Sequence, residues 1–210
     1  PTLSGFTITS DYVKETKDDN TYATDGSVGV IVGSFPGEKL ATIKNNVFKH
    51  LDIGVLLIQF DQPAAIINNT FIGGRGQDYA VVVAPSDGSP YPYYPSTLIE
   101  NNAIVDYDKA GVLILCATIC DFLRPTDFTI QYNNTWRNTK DYLFSEYLTT
   151  RVYPTINSRM WSYHLSGIKL SALKPPHNPT GKNGNISLDP MFVNKAGGDF
   201  IRKSDSMKEE

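Results

Sequence analysis

Two cysteines are all that this 210-residue chain contains, Cys116 and Cys120 in CATIC, and no histidine or second cysteine pair accompanies them. That excludes a disulfide-stapled scaffold and the common zinc ligand sets. A bond across so short a loop and a pair of reduced thiols both fit the spacing, so the redox compartment stays open. Histidine is scarce as well: His50, His164 and His177 lie far apart, without metal-ligand spacing. No charge of one sign accumulates. The net charge is −3 and no basic run exceeds a dipeptide, which argues against nucleic acid as a partner. No apolar run reaches the roughly 18 residues that span a bilayer, so no membrane span is expected. The opening PTLSGFTITS has neither a charged n-region nor an apolar h-region, so a signal peptide is expected to be absent or already removed. Amphipathic helical stripes are missing throughout.

What is present is a repeat. IKNNVF at 43–48 returns as IINNTF at 66–71, IENNAI at 99–104 and YNNTW at 132–136. A second series alternates with it: GVIVG at 29–33, GVLLI at 54–58, YAVVV at 79–83 and GVLIL at 111–115. The second series begins at Gly29, Gly54, Ala80 and Gly111, at intervals of 25, 26 and 31 residues. Short, β-branched runs read as strands rather than helices. A unit of this length with three short strands and no helix suits one coil of a parallel β-helix, each coil stacked about 4.8 Å from the last. A leucine-rich repeat or a propeller blade would need other spacings.

The Asn pairs fall where the chain must bend between the second and third strand of a coil. Asparagine tolerates the left-handed conformation there. Stacking brings the amides into register, so that Asn46, Asn69 and Asn102 are expected to form one internal ladder in which each side chain satisfies its neighbours. The fourth copy, TIQYNNTW, has one extra residue between Ile130 and its pair, which predicts a bulge or register change. LSGFTI at 3–8 occupies the slot of IKNNVF, with Gly5 where the pair would begin. The chain thus opens inside a coil and reads as a segment of something longer. Asn69, Asn134 and Asn185 begin or lie in N-x-S/T sequons, two of which overlap the ladder.

LSGFTI, the repeated I-x-N-N-x-F and the closing GNISLDPMFVNKAGGDF at 184–200 together resemble right-handed parallel β-helix repeat proteins of the pectin-lyase-like superfamily, over residues 1–137 and 183–203. The resemblance implies an all-β, right-handed parallel β-helix of about five coils, one domain over 1–210 with a long insertion at 139–182. It also implies a secreted or cell-surface setting and a polysaccharide or glycan surface as partner. The superfamily's catalytic signatures are absent. Asp18-Asp19 is the only Asp-Asp pair, RPTDF at 124–128 does not match the lyase Arg-x-Pro-x-x-Arg, and no catalytic residue carries over.

If Val30, Val55, Val81 and Val112 point into the coil, alternation turns Ile31, Leu56, Val82 and Leu113 outward. That aliphatic stripe needs a cover: the insertion, or a second molecule joined through the first strand stack. Aromatic side chains are the candidates for sugar contact. Trp161 and Tyr163 lie in the insertion, and Tyr91, Tyr93 and Tyr94 in the Pro-rich loop SDGSPYPYYPS at 86–96. Arg75, in GGRGQD on the turn that leads into a first strand, is a further candidate for sugar contact. Asp52, Asp78 and Asp108 each precede a first strand by two or three residues and are expected to stack, either as turn formers or, at Asp78 and Asp108, around a Ca²⁺ ion. No cofactor is required. Three functions follow: a module that binds or helps process polysaccharide, an active lyase or glycoside hydrolase with a loop-built site, or a structural or adhesive spacer.

Overall fold

The computed structural model describes residues 1–10, 27–33, 40–59, 63–85, 97–116, 128–146, 169–172, 180–194 and 199–202. It is a parallel β-helix of five rungs. One sheet stacks β1 (Thr2–Ser4), β4 (Ala41–Lys44), β7 (Ala64–Ile67), β10 (Thr97–Glu100) and β13 (Phe128–Gln131). A second stacks β2 (Thr7–Thr9), β5 (Val47–Lys49), β8 (Thr70–Ile72), β11 (Ala103–Val105) and β14 (Asn134–Trp136). The third stacks β3 (Val28–Gly33), β6 (Ile53–Gln59), β9 (Tyr79–Pro85), β12 (Ala110–Cys116) and β15 (Tyr142–Glu146). A sixth strand, β16 (Lys169–Ala172), closes the third sheet antiparallel to β15, and β17 (Phe192–Asn194) pairs β18 (Asp199–Arg202) in a two-stranded ribbon. Strands this short hold because each is paired with its neighbouring rungs, on both sides everywhere except at the ends of the described sheets.

The core is built in columns, one side chain per rung. Ile43, Ile66 and Ile99 line the first sheet, with Ile130 packed against them. Phe48 and Phe71 stack in the second sheet with ring centroids 4.7 Å apart and planes 7° from parallel. Val55, Val81 and Val112 fill the third from inside, and Tyr142 ends their column. The corner entering the third sheet has no room for a side chain. A Cβ on Gly54 would lie 2.6 Å from the Ala80 carbonyl oxygen and 2.7 Å from Phe71.

The outward side of the third sheet is also apolar. Leu56, Val82, Leu113 and Leu143 are in register and buried as a separate cluster, while Ile31 at the edge is 51% exposed. Tyr142 and Leu143 fall within the segment assigned to the insertion, yet they belong to the fifth rung. From the same segment, Lys169–Ala172 docks edgewise on β15 by strand pairing. Residues 147–168 and 173–179 lie outside the described residues, as does Cys120.

The first corner carries the asparagine ladder, and it is longer than expected. In each rung one residue adopts the left-handed conformation: Gly5, Asn45, Asn68, Asn101, Tyr132 and Gly184. From Asn45 onward the residue after it turns inward, whereas Phe6, after Gly5, is exposed. Asn46, Asn69, Asn102, Asn133 and Asn185 are all buried there. The Oδ1 of Asn69 accepts both the backbone N–H and the Nδ2 of Asn46, at 3.0 and 3.1 Å. Asn102 does the same for Asn69, Asn133 for Asn102 and Asn185 for Asn133. Each Nδ2 also donates to a first-sheet carbonyl of the preceding rung, from Leu3 to Ile130. The ladder ends at Phe6, whose N–H donates to Asn46 Oδ1.

The register change expected at the fourth copy does not occur. β13 pairs β10 without interruption, Thr97 to Phe128 through Glu100 to Gln131. Tyr132 takes the left-handed slot that the first Asn fills elsewhere, Asn133 takes the ladder slot, and Asn134 starts the next strand. The apparent extra residue came from aligning the wrong Asn of the pair.

Candidate functional site

Three polar regions of the described surface have the chemistry for a site. The first is the outer side of the ladder corner. Because the left-handed residues point their side chains out, Asn45, Asn68, Asn101 and Tyr132 form an exposed row that advances one residue per rung. Asn101 Nδ2 donates to Asn68 Oδ1 at 2.6 Å, which fixes two of the amides. Lys44 flanks the row, and so do Glu100 and Gln131, joined by a 3.0 Å bond from Gln131 Nε2 to Glu100 Oε1. Tyr132 comes last, its ring over Gly184 of the following rung.

The second region is the turn row before the third sheet, which holds Arg75, Asp78 and Asp108. Gly74 to Gln77 form a tight turn closed by Gln77 N–H donating to the Gly74 carbonyl at 3.1 Å, with Gly76 at φ 88° and Arg75 exposed at its tip. The expected carboxylate stack is corrected by a shift of one residue. Asp52 and Asp78 share a row, but the next member is Lys109, because Tyr79 pairs with Ala110. Lys109 Nζ bonds Asp78 Oδ2 at 2.7 Å and lies 5.6 Å from the Tyr79 ring centroid. Asp108 instead accepts the Gly76 N–H, and the buried Asp52 accepts the Ser27 N–H at 2.8 Å. A Ca²⁺ ion fits these donors poorly. Asp78 already faces a lysine ammonium, and no group of three or more His, Cys, Asp or Glu side chains converges among the described residues. Nearby, the Gln77 Oε1 and the Tyr107 hydroxyl are buried without a hydrogen-bond partner. Burial, then the Asp52 charge, pushes the Tyr107 phenol far above its ordinary range.

The third region was not legible in the sequence. Asp141, half-buried just before β15, receives hydrogen bonds from Thr135, Thr180, Ser187 and Asn138, with Thr180 Oγ1 at 3.4 Å from Oδ2. Burial raises its pKa above the usual carboxylate value, and the four hydrogen bonds offset only part of that rise. Burial, then the Asp141 charge, also pushes the Tyr142 phenol upward. Thr180, near the end of the segment assigned to the insertion, and Ser187, just past it, are both distant from Asp141 in sequence, so no local motif marks this cluster. Tyr91, Tyr93, Tyr94, Trp161 and Tyr163 lie outside the described residues.

No helix of the described residues is long and apolar enough to cross a membrane. Comparison with protein-family models, with curated proteins and with solved structures yields no match.

Proposed function

We propose that this chain is a secreted or cell-surface module of the pectin-lyase-like kind that binds polysaccharide along the outside of its ladder corner. The observation that supports this reading is the exposed row Asn45, Asn68, Asn101, Tyr132. A rung advances about 4.8 Å, comparable with the length of one sugar ring. An extended glycan laid along the corner therefore meets a carboxamide, donor and acceptor in one group, at each successive unit. Asn68 and Asn101 already hold each other through their 2.6 Å hydrogen bond, so these two amides lose little conformational freedom on binding. A glycan array probed with the purified chain tests this reading. Binding to extended polysaccharide supports it, and an array without signal leaves the spacer role as the better account.

One observation favours a second reading, an active lyase or glycoside hydrolase. A carboxyl that holds its proton above the ordinary range, as Asp141 does, suits general acid chemistry. Release of reducing ends or unsaturated uronates from polysaccharide, lost in Asp141→Asn, is the result this reading requires.

A further inference from the structure

Tyr132 is out of place in its row. Every other left-handed residue at this corner is Asn or Gly: Gly5, Asn45, Asn68, Asn101 and Gly184. Those residue types enter the conformation readily, whereas a bulky aromatic one is strained there. Tyr132 holds φ 55° nonetheless, with its N–H donating to the Asn183 carbonyl at 3.0 Å. His50 and Arg137 hold the same conformation elsewhere in the coil, so the strain alone does not single Tyr132 out; its own row does, because there the neighbouring rungs show the relaxed solution, and that is a reason to look for function.

The surroundings are shaped for the ring. Gly184 is the next residue up the row, and a Cβ there would overlap the Tyr132 side chain. The glycine thus lets one side of the ring lie against the backbone of the following rung. The other side is open, and the residue is 58% exposed. An aromatic ring held along its Cγ–Cδ1–Cε1 edge by the following rung, and more than half exposed, stands at the end of a line of amides.

From this we infer that Tyr132 is the stacking platform of the corner and selects neutral β-linked glycans, whose equatorial hydroxyls leave axial C–H groups facing the ring. The inference rests on the polysaccharide-binding reading and narrows it. Polyuronates gain no net attraction here, because Lys44 and Glu100 flank the same row with opposite charge and the amides carry none to match a carboxylate. Asn101 and Asn68 then bond the hydroxyls of the preceding sugar units.

The test compares wild type with Tyr132→Asn, which restores the residue found in the neighbouring rungs, using cellohexaose and hexagalacturonate as calorimetric probes. Wild type is expected to bind cellohexaose in preference to hexagalacturonate. Tyr132→Asn should weaken that binding by about tenfold or more while its Tm holds or rises, because the strain is released. Tyr132→Phe should keep the affinity, and Tyr132→Gly, the residue type found at Gly5 and Gly184, should lose it and settles the matter should the Asn variant fold poorly. Equal affinity in wild type and Tyr132→Asn overturns the platform and leaves the module reading standing. Preference for hexagalacturonate overturns the ligand class. A wild type that binds neither probe overturns the inference, and the array then decides the broader reading separately. A lower Tm with unchanged binding identifies the ring as a lid over Gly184 only.

Discussion

A single ladder amide supports several neighbours at once. Asn69 accepts from the N–H and Nδ2 of Asn46 and donates to the Ile43 carbonyl and Asn102 Oδ1, all buried. Asn69→Leu strands these groups together. With each stranded group costing about 1–3 kcal/mol, a loss of about 3 kcal/mol or more is expected in denaturant unfolding. Asn68→Gly, one residue earlier, should change stability by no more than a few tenths of a kcal/mol, since glycine also suits φ 56°. If both variants unfold alike, the ladder is not what holds the corner. Asp141 supplies a pH signature. Its folded-state pKa is raised by burial, so the folded chain binds a proton more tightly than the unfolded one. Its contribution is complete below the ordinary carboxylate pKa and fades as pH rises through the raised value. Wild-type Tm should therefore fall across that window through this group, and Asp141→Asn should flatten the fall and be the more stable protein at neutral pH. A pH profile identical in the two proteins would remove Asp141 as the source.

Strands and corners are the next level, and here space decides. Gly54 and Gly33 both lie in third-sheet strands, yet they differ in what a methyl group would meet. At Gly54 it meets the Ala80 carbonyl and Phe71 below 3 Å, and at Gly33 it meets nothing within 4 Å. Gly54→Ala should cost about 1–3 kcal/mol, because either the backbone or the stacked phenylalanine must move. Gly33→Ala should be neutral or slightly stabilising, by reducing the freedom of the unfolded chain. Thermal melts of the pair check the close approach between rungs directly. The Phe48–Phe71 stack is the other side of the same corner, so Gly54→Ala should also be non-additive with Phe71→Leu.

Across the whole molecule, stability should be graded along the axis. Each rung touches only its neighbours, so the solenoid behaves as a one-dimensional stack. Among the described residues β9 and β12 are paired on both sides, whereas β1, β2 and β3 are each paired on one side only. Hydrogen exchange should be slowest at Val81–Val83 and Val112–Ile114 and fastest in the first rung. Uniform protection from first rung to last would mean that the stack opens only as one unit. The far end is held differently. Asn185 extends the ladder, Thr180 and Ser187 reach back to Asp141, and β16 closes the third sheet. Together they tie residues 169–172 and 180–187 onto the fifth rung.

The sequence by itself determined the class of fold, the number of rungs, the inward and outward faces of the third sheet, and the ladder through Asn46, Asn69 and Asn102. These were legible because they rest on local rules repeated in every coil: strand side chains alternate, and a sharp corner needs a residue that tolerates positive φ. What only the tertiary structure decided depends on register or on distant chain. A slip of one residue puts Lys109 rather than Asp108 above Asp78, and Tyr132 rather than Asn133 in the left-handed slot. Asn185 joins Asn133 across 52 positions, and the Asp141 cluster likewise brings Thr180 and Ser187 to Thr135, Asn138 and Asp141. No spacing in the chain encodes such meetings, because they are fixed by where the returning segment lands on the last rung.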